Sequence, residues 1–271
     1  NPVKIRFTGS YTQNKSISNH DWPFALNNYF MTIDPENTTK TYFANVRATH
    51  VLGTNTFYEV GLWYSSRTAE SIDPAFGTDY RKYVDSVAAR AAGRINPLTG
   101  STGFKTRFDG PFAHSVINAF TFNNPLTPIN GYGKNNQNAL GISIDITSQL
   151  NPQWELKAGG RLESFTMKSF SSGDISTINT YLDQNSTIYT EAALAADPSL
   201  RKKRQRDLAV RGAGGYGYDV DGNEISSGID GPRKPVFASA YVQNKFEFRD
   251  IVVNAGLRFE SFDTKILAVS D

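Results

Sequence analysis

Apolar and polar residues alternate with a period of two in seven separate stretches of the chain, the spacing at which successive side chains leave a strand on opposite faces. The first puts Val3, Ile5, Phe7, Gly9 and Tyr11 on one face and Lys4, Arg6, Thr8, Ser10 and Thr12 on the other. A second, about Lys40 to Val51, alternates Tyr42, Ala44, Val46 and Ala48 with Asn45, Arg47 and Thr49, with Phe43 breaking the polar row. The third sets Tyr58, Val60, Leu62 and Tyr64 against Glu59, Gly61, Ser65 and Arg67, with Trp63 on the polar side. The fourth is the cleanest: Leu140, Ile142, Ile144 and Ile146 against Gly141, Ser143, Asp145 and Thr147. Trp154, Leu156, Ala158 and Leu162 then oppose Glu155, Lys157, Arg161 and Glu163. In the sixth, Ala238, Ala240, Val242, Phe246 and Phe248 oppose Ser239, Gln243, Lys245 and Glu247, and Asn244 interrupts the apolar row. The seventh sets Ile251, Val253, Ala255, Leu257 and Phe259 against Asn254, Gly256, Arg258 and Glu260.

Alternation alone does not distinguish a membrane barrel from a soluble sandwich, because either one buries one face of each strand. The connections decide between them. Links of a few residues join strands two and three, four and five, and six and seven. The other three cover about Lys15 to Thr39, Thr68 to Asn138 and Lys168 to Lys234. Tight turns at one end and long loops at the other predict an all-β, antiparallel, up-and-down transmembrane β-barrel with short periplasmic turns and long extracellular loops. Strands of about 11 residues, tilted by about 40°, project to about 28 Å, close to the apolar band that such a barrel requires. Seven strands would close only by parallel pairing, so either a long loop hides an eighth strand or, the favoured expectation, residues 1–271 are part of a larger barrel, with Leu267 to Asp271 starting another external loop.

Composition removes other classes. The chain has 271 residues, and 28 Lys+Arg against 26 Asp+Glu leave a net charge of +2, so no overall field favours nucleic acid. No apolar run approaches the roughly 18 residues of a membrane-spanning helix. With no Cys, disulfides and thiolate metal sites are excluded. The 22 Gly, 13 Tyr and 18 Phe suit many two-faced strands, and Tyr11, Tyr64, Trp154 and Phe248 fall where interfacial girdles are expected.

Local motifs carry no catalytic reading. Gly212-Ala213-Gly214-Gly215-Tyr216-Gly217 fits G-x-G-x-x-G, but Asp219, Asp221 and Gly222 follow where a nucleotide site needs a helix, so it reads as a glycine-rich loop. Asp219, Asp221, Asn223 and Asp230 only faintly echo a calcium loop, and an Asp-Gly turn is the simpler reading. His20, His50 and His114 stand far apart, with no metal or catalytic spacing. There is no G-x-S-x-G, Walker or H-E-x-x-H motif, and neither enzyme activity nor a cofactor is expected. Two loop helices are predicted. One runs over Asp79 to Ala92, with Tyr80, Val84, Val87 and Ala88 on one stripe and Gly93 ending it. The other covers Glu191 to Ala196, capped by Thr190 and ended by Pro198. Lys202, Lys203, Arg204 and Arg206 form a basic cluster suited to a solvated face or to lipopolysaccharide phosphates or another anionic ligand.

Phe237-Ala238-Ser239-Ala240-Tyr241-Val242-Gln243-Asn244-Lys245-Phe246-Glu247-Phe248, with Val253-Asn254-Ala255-Gly256-Leu257-Arg258-Phe259-Glu260-Ser261-Phe262-Asp263, resembles a barrel hairpin of the TonB-dependent outer-membrane receptors. Thr49-His50-Val51-Leu52 turning into Thr56-Phe57-Tyr58, and Gly215 to Glu224, resemble the Bacteroidetes-type branch of that family. The resemblance implies a barrel of about 22 strands in the outer membrane, occluded by a plug and energised through the TonB complex, importing a nutrient ligand. Neither a plug domain nor a TonB-contacting segment is visible in residues 1–271, which would form barrel wall and ligand-selecting loops. Lys157, Arg161, Glu163, Arg258 and Glu260 would line the lumen, while no ligand-binding residue can be named. Two rival readings are an outer-membrane scaffold whose loops bind a partner protein in a surface complex, and a soluble β-rich binding module.

Overall fold

The computed structural model describes residues 3–18, 34–111, 114–117, 120–123 and 126–265. His20 and the stretch Leu267 to Asp271 lie outside them. The seven alternating stretches are seven strands of one antiparallel sheet: β1 (Val3–Ile17), β2 (Glu36–Val51), β3 (Thr56–Ile72), β6 (Tyr132–Asn151), β7 (Trp154–Ser172), β9 (Val236–Phe248) and β10 (Ile251–Asp263), in that spatial order. A short β8 (Ala213–Tyr216) pairs with the far end of β7, and β4 (His114–Ile117) with β5 (Phe120–Asn123) makes a separate hairpin. The sheet does not close on itself: β1 pairs with β2 alone and β10 with β9 alone.

Register follows the alternation. Ile5, Ala48, Val60, Ile144, Gly160, Ala240 and Phe259 stand in one row across the sheet, and Phe7, Val46, Leu62, Ile142, Leu162 and Ala238 in the next. A slip of one residue in any pair would turn a charged row into this face, so the two-faced pattern holds the register. Six spacings of about 4.8 Å make the apolar face about 29 Å across. Nothing among the described residues packs over it as a second sheet, and Phe7, Leu257 and Phe259 are 75%, 78% and 69% exposed. The described helices include none long and apolar enough to cross a membrane.

The strands are longer than their alternation predicts, reaching 20 residues in β6 and 19 in β7. The outer half of β6, Gly133-Lys134-Asn135-Asn136-Gln137-Asn138, is polar on both faces, and that of β7 carries Phe165 and Met167 on the face of Arg161 and Glu163, so the period is lost while the ladder of backbone hydrogen bonds continues. The second and third long links therefore shrink to residues 73–131 and 173–235, and their described residues, the β4–β5 hairpin apart, build a cap at this end.

The cap has its own core. Tyr80, Tyr83, Val84, Ile129, Tyr132, Phe170, Ile175 and Tyr218 are buried together, and Ile178, Leu208, Ala213 and Val220 form a second cluster. The single helix expected over Asp79 to Ala92 is broken. Tyr80–Val84 is a 3-10 turn, and α1 (Ser86–Ala91) starts afresh because the Asp85 side chain accepts from the Val87 N–H at 2.8 Å. Tyr80 and Val84 are buried while Val87 is 62% exposed, so the four do not share one buried stripe; Gly93, at φ +72°, does end the segment. Thr190 caps α3 (Glu191–Ala196) as expected. Pro198, expected only as a stop, also begins α4 (Pro198–Val210), where its missing N–H costs nothing at the first position. The alternation pattern also did not anticipate α2 (Ile175–Gln184), capped by Asp174.

Candidate functional site

Two surfaces carry chemistry. The first is the polar face of the sheet. Arg6, Arg47, Gly61, Ser143, Arg161, Ser239 and Glu260 stand in one row, and Lys4, Thr49, Glu59, Asp145, Gly159, Tyr241 and Arg258 in the next. Charges two apart on one strand pair along it: Arg161 with Glu163, Arg258 with Glu260 at 2.7 Å, and Lys157 with Glu155 at 3.0 Å. All five residues expected to line a lumen are thus on this face, but Arg47, Asp145, Arg161 and Arg258 gather with Trp63 and Tyr241 around a trough of about 440 Å³ that Lys157, Glu163 and Glu260 do not line.

The aromatic residues of the trough depend on glycine. A Cβ at Gly141 would stand 1.9 Å from the Trp63 ring, and one at Gly159 would stand 2.6 Å from Tyr241 and 2.4 Å from Asp145. Bare backbone there lets Trp63 lie across the sheet with the Arg161 guanidinium 4.5 Å above its ring, and lets the Tyr241 hydroxyl donate to Asp145 at 2.8 Å. Trp63 and Gly141 stand out in the sequence as exceptions on a polar row, but only the pairing of β3 with β6 explains one by the other. The arrangement offers a flat apolar surface flanked by fixed charges and hydrogen-bonding groups, suited to holding a polar solute.

The second surface is the cap, and its position follows from strand parity. Lys134 and Phe170 face one another across β6 and β7, an even number of residues from Leu140 and Leu162, so they project on the side of the sheet that carries the apolar rows. Phe170 packs against Tyr80, Tyr132 and Tyr218, and Lys134 lies 4.2 Å over the Tyr218 ring while donating to the Gly222 carbonyl at 2.8 Å. The cap core therefore stands on the outer continuation of the apolar face.

Its polar ties are dense. Arg94 makes a two-pronged pair with fully buried Asp73, both contacts at 2.5 Å. Asp221 accepts from Arg204 at 2.6 and 2.8 Å and also pairs with Arg81. Burial pushes the Asp221 carboxyl upward, but the Arg204 hydrogen bonds and the charges of Arg81 and Arg204 outweigh it and hold the group below the usual carboxylate range. Asp207 is likewise held low by hydrogen bonds from Tyr181 at 2.5 Å and Tyr189 at 2.8 Å.

The glycine-rich motif is structural. Ala213–Tyr216 is β8, and a Cβ on Gly215 would stand 1.9 Å from the Ser169 carbonyl oxygen, so glycine permits β8 to lie against β7. Asp219 to Asn223 is a turn: Asp219 Oδ1 accepts from the N–H groups of Asp221 and Asn223, and Gly222 adopts φ +82°. Among the described residues no group of three or more His, Asp or Glu could hold a metal ion. His50 meets the Tyr58 hydroxyl at 3.2 Å next to a short turn, and His114 lies in β4. Of the basic cluster, Arg204 turns inward to Asp221 while Lys202 and Arg206 face a groove of about 740 Å³ between α4, β8 and the chain around Ile229. Comparisons with protein-family models, with curated proteins and with solved structures gave no match to this chain.

Proposed function

We propose that this chain forms wall and external cap of an outer-membrane β-barrel of the TonB-dependent receptor class, which imports a nutrient ligand. The observation that carries the reading is the uncovered apolar face: seven strands wide, backed by a charged face, with short turns at one end and a folded cap at the other. So wide an apolar surface is unlike the scattered apolar residues of a water-facing sheet, and hydrocarbon would cover it. The row from Trp154 to Leu162 spans nine residues, about 30 Å along the strand and about 23 Å after a tilt of about 40°, close to the roughly 25 Å apolar band of outer-membrane barrels. The open edges at β1 and β10 are satisfied by further strands, about 22 in all, and the trough around Trp63 and Arg161 then borders the interior path of the solute.

The transport step itself rests on the resemblance of the β9–β10 hairpin. It is tested by following nutrient uptake into cells with and without the complete barrel. Uptake that needs the barrel and collapses when a protonophore removes the proton gradient supports the reading. A tightly co-purifying surface protein with no uptake would replace it with the scaffold reading, and a chain that stays folded and monodisperse without detergent would replace it with a soluble binding module.

A further inference from the structure

The cap leaves one built feature without a role. Ser199, Lys202, Gln205, Arg206 and Ala209 follow one another at helical spacing, so a single stripe of α4 lines the groove. Apart from Tyr218 and Asp230, the opposite wall and floor are apolar or bare backbone: Ala213, Gly214, Gly215, Val220 and Ile229. Lys202 and Arg206, one helical turn apart, make no ion pair among the described residues. The only carboxylate in the lining, Asp230, accepts from Gln205 at 2.6 Å. Two cations against that one carboxylate leave the groove net positive, and with its apolar floor it is complementary to an anion that also presents an apolar surface.

Position narrows the occupant. The groove opens on the side of the sheet that carries the apolar rows, since Gly215 pairs with Phe170 and Ala213 with Ser172 on that side. Gly217 lies against Lys168, and its N–H donates to the Asp230 carbonyl, which sets the lower rim four residues beyond Ser164, where the apolar rows end. Four residues are about 13 Å along a strand and about 10 Å after tilt. That height is above the phosphate of a glycerophospholipid, whose headgroup zone is only about 5–8 Å thick on each side of the hydrocarbon. A phosphate held that far from the hydrocarbon has to be carried on a bulkier head than glycerol, and a sugar head would present the C–H faces of its pyranose rings to the apolar floor.

We propose that the groove between α4 and β8 holds the anionic sugar headgroup of an outer-leaflet glycolipid, with Lys202 and Arg206 pairing its phosphates. The inference rests on the reading that the apolar face meets lipid. The test uses the complete barrel in neutral detergent, titrated with rough lipopolysaccharide and followed by native mass spectrometry. Dephosphorylated lipopolysaccharide, phosphatidylglycerol and inorganic phosphate serve as the other probes. Each cation at a headgroup contributes about fivefold, so Lys202→Glu/Arg206→Glu should lower retention of the phosphorylated glycolipid by about 25-fold or more. Lys202→Glu alone should weaken it while Lys203→Glu, the same charge change one position round the helix, leaves it intact. Equal retention by wild type and the double variant, or equal binding of phosphatidylglycerol or free phosphate, overturns the inference. Insertion of the wild type into phosphatidylcholine bilayers is scored separately: failure there overturns the barrel reading, whereas normal insertion with a flat titration overturns the groove alone.

Discussion

The apolar part of the sheet, proposed above as barrel wall, and the cap are made by the same strands, yet they treat their apolar side chains in opposite ways. Along β7, Leu162 is 49% exposed, while Phe170, eight residues further on the same face, is 1% exposed under Tyr80, Tyr132 and Tyr218. The wall depends on its surroundings to cover its apolar rows, whereas the cap supplies its own cover from two connections that are distant in sequence. A change of solvent should therefore act on the wall, and loss of a side chain should act on the cap.

Four experiments would sharpen or break that division. Phe170→Ala, which empties the centre of the cap core, should cost about 3–5 kcal/mol locally. Limited proteolysis should then cut within 73–131 and 173–235 while the hairpins stay intact, and cleavage spread evenly over the chain would show that wall and cap unfold together. If the apolar face meets lipid as proposed, Leu257→Arg should cost about 2–4 kcal/mol of insertion, the range for a cation at the bilayer midplane, and Asn254→Arg on the polar face much less. Equal folding yields for the two in lipid vesicles would contradict the assigned facing. Thr190→Ala should remove about 1 kcal/mol from α3, visible as faster hydrogen exchange at Ala193 and its neighbours with no change in the wall.

The smallest effect appears only in acid. Because Asp221 is held below its unfolded value, about 3.9, its contribution is complete above about pH 4 and fades as the pH falls through its lowered folded value. Proteolytic opening of the cap should rise over that range in the wild type, and the acid-dependent part should shrink in Asp221→Asn. An opening profile identical in the two proteins would remove Asp221 from the account.

The two regions also differ in how much of them is legible beforehand. Seven strands, their facing and their short turns can be read from residues such as Leu140, Ile142, Ile144 and Ile146, because a strand buried on one side records that fact at every second position. The outer halves of β6 and β7 escape that reading, since Asn135 to Asn138 are polar on both faces and Phe165 and Met167 fall on the charged face, so that only the backbone ladder continues the strands. The 3-10 turn before α1 leaves no mark in the pattern because Asp85 competes for the backbone within an otherwise helical stretch, and neither does α4, because of its 13 residues only Leu208 is buried.

Chemistry divides in the same way. Charged rows on a two-faced sheet, tight turns at one end and a basic stretch near Lys202 are local properties, settled by side-chain type and a spacing of two or of three to four. Which exceptions belong together is a matter of register: Trp63 lies over Gly141, Tyr241 over Gly159, and Arg204 leaves its cationic neighbours to meet Asp221. Residues tens of positions apart in the chain meet only when antiparallel pairing brings them within a few ångströms. The side of the sheet on which the cap stands is likewise a product of strand parity carried past the end of the apolar pattern.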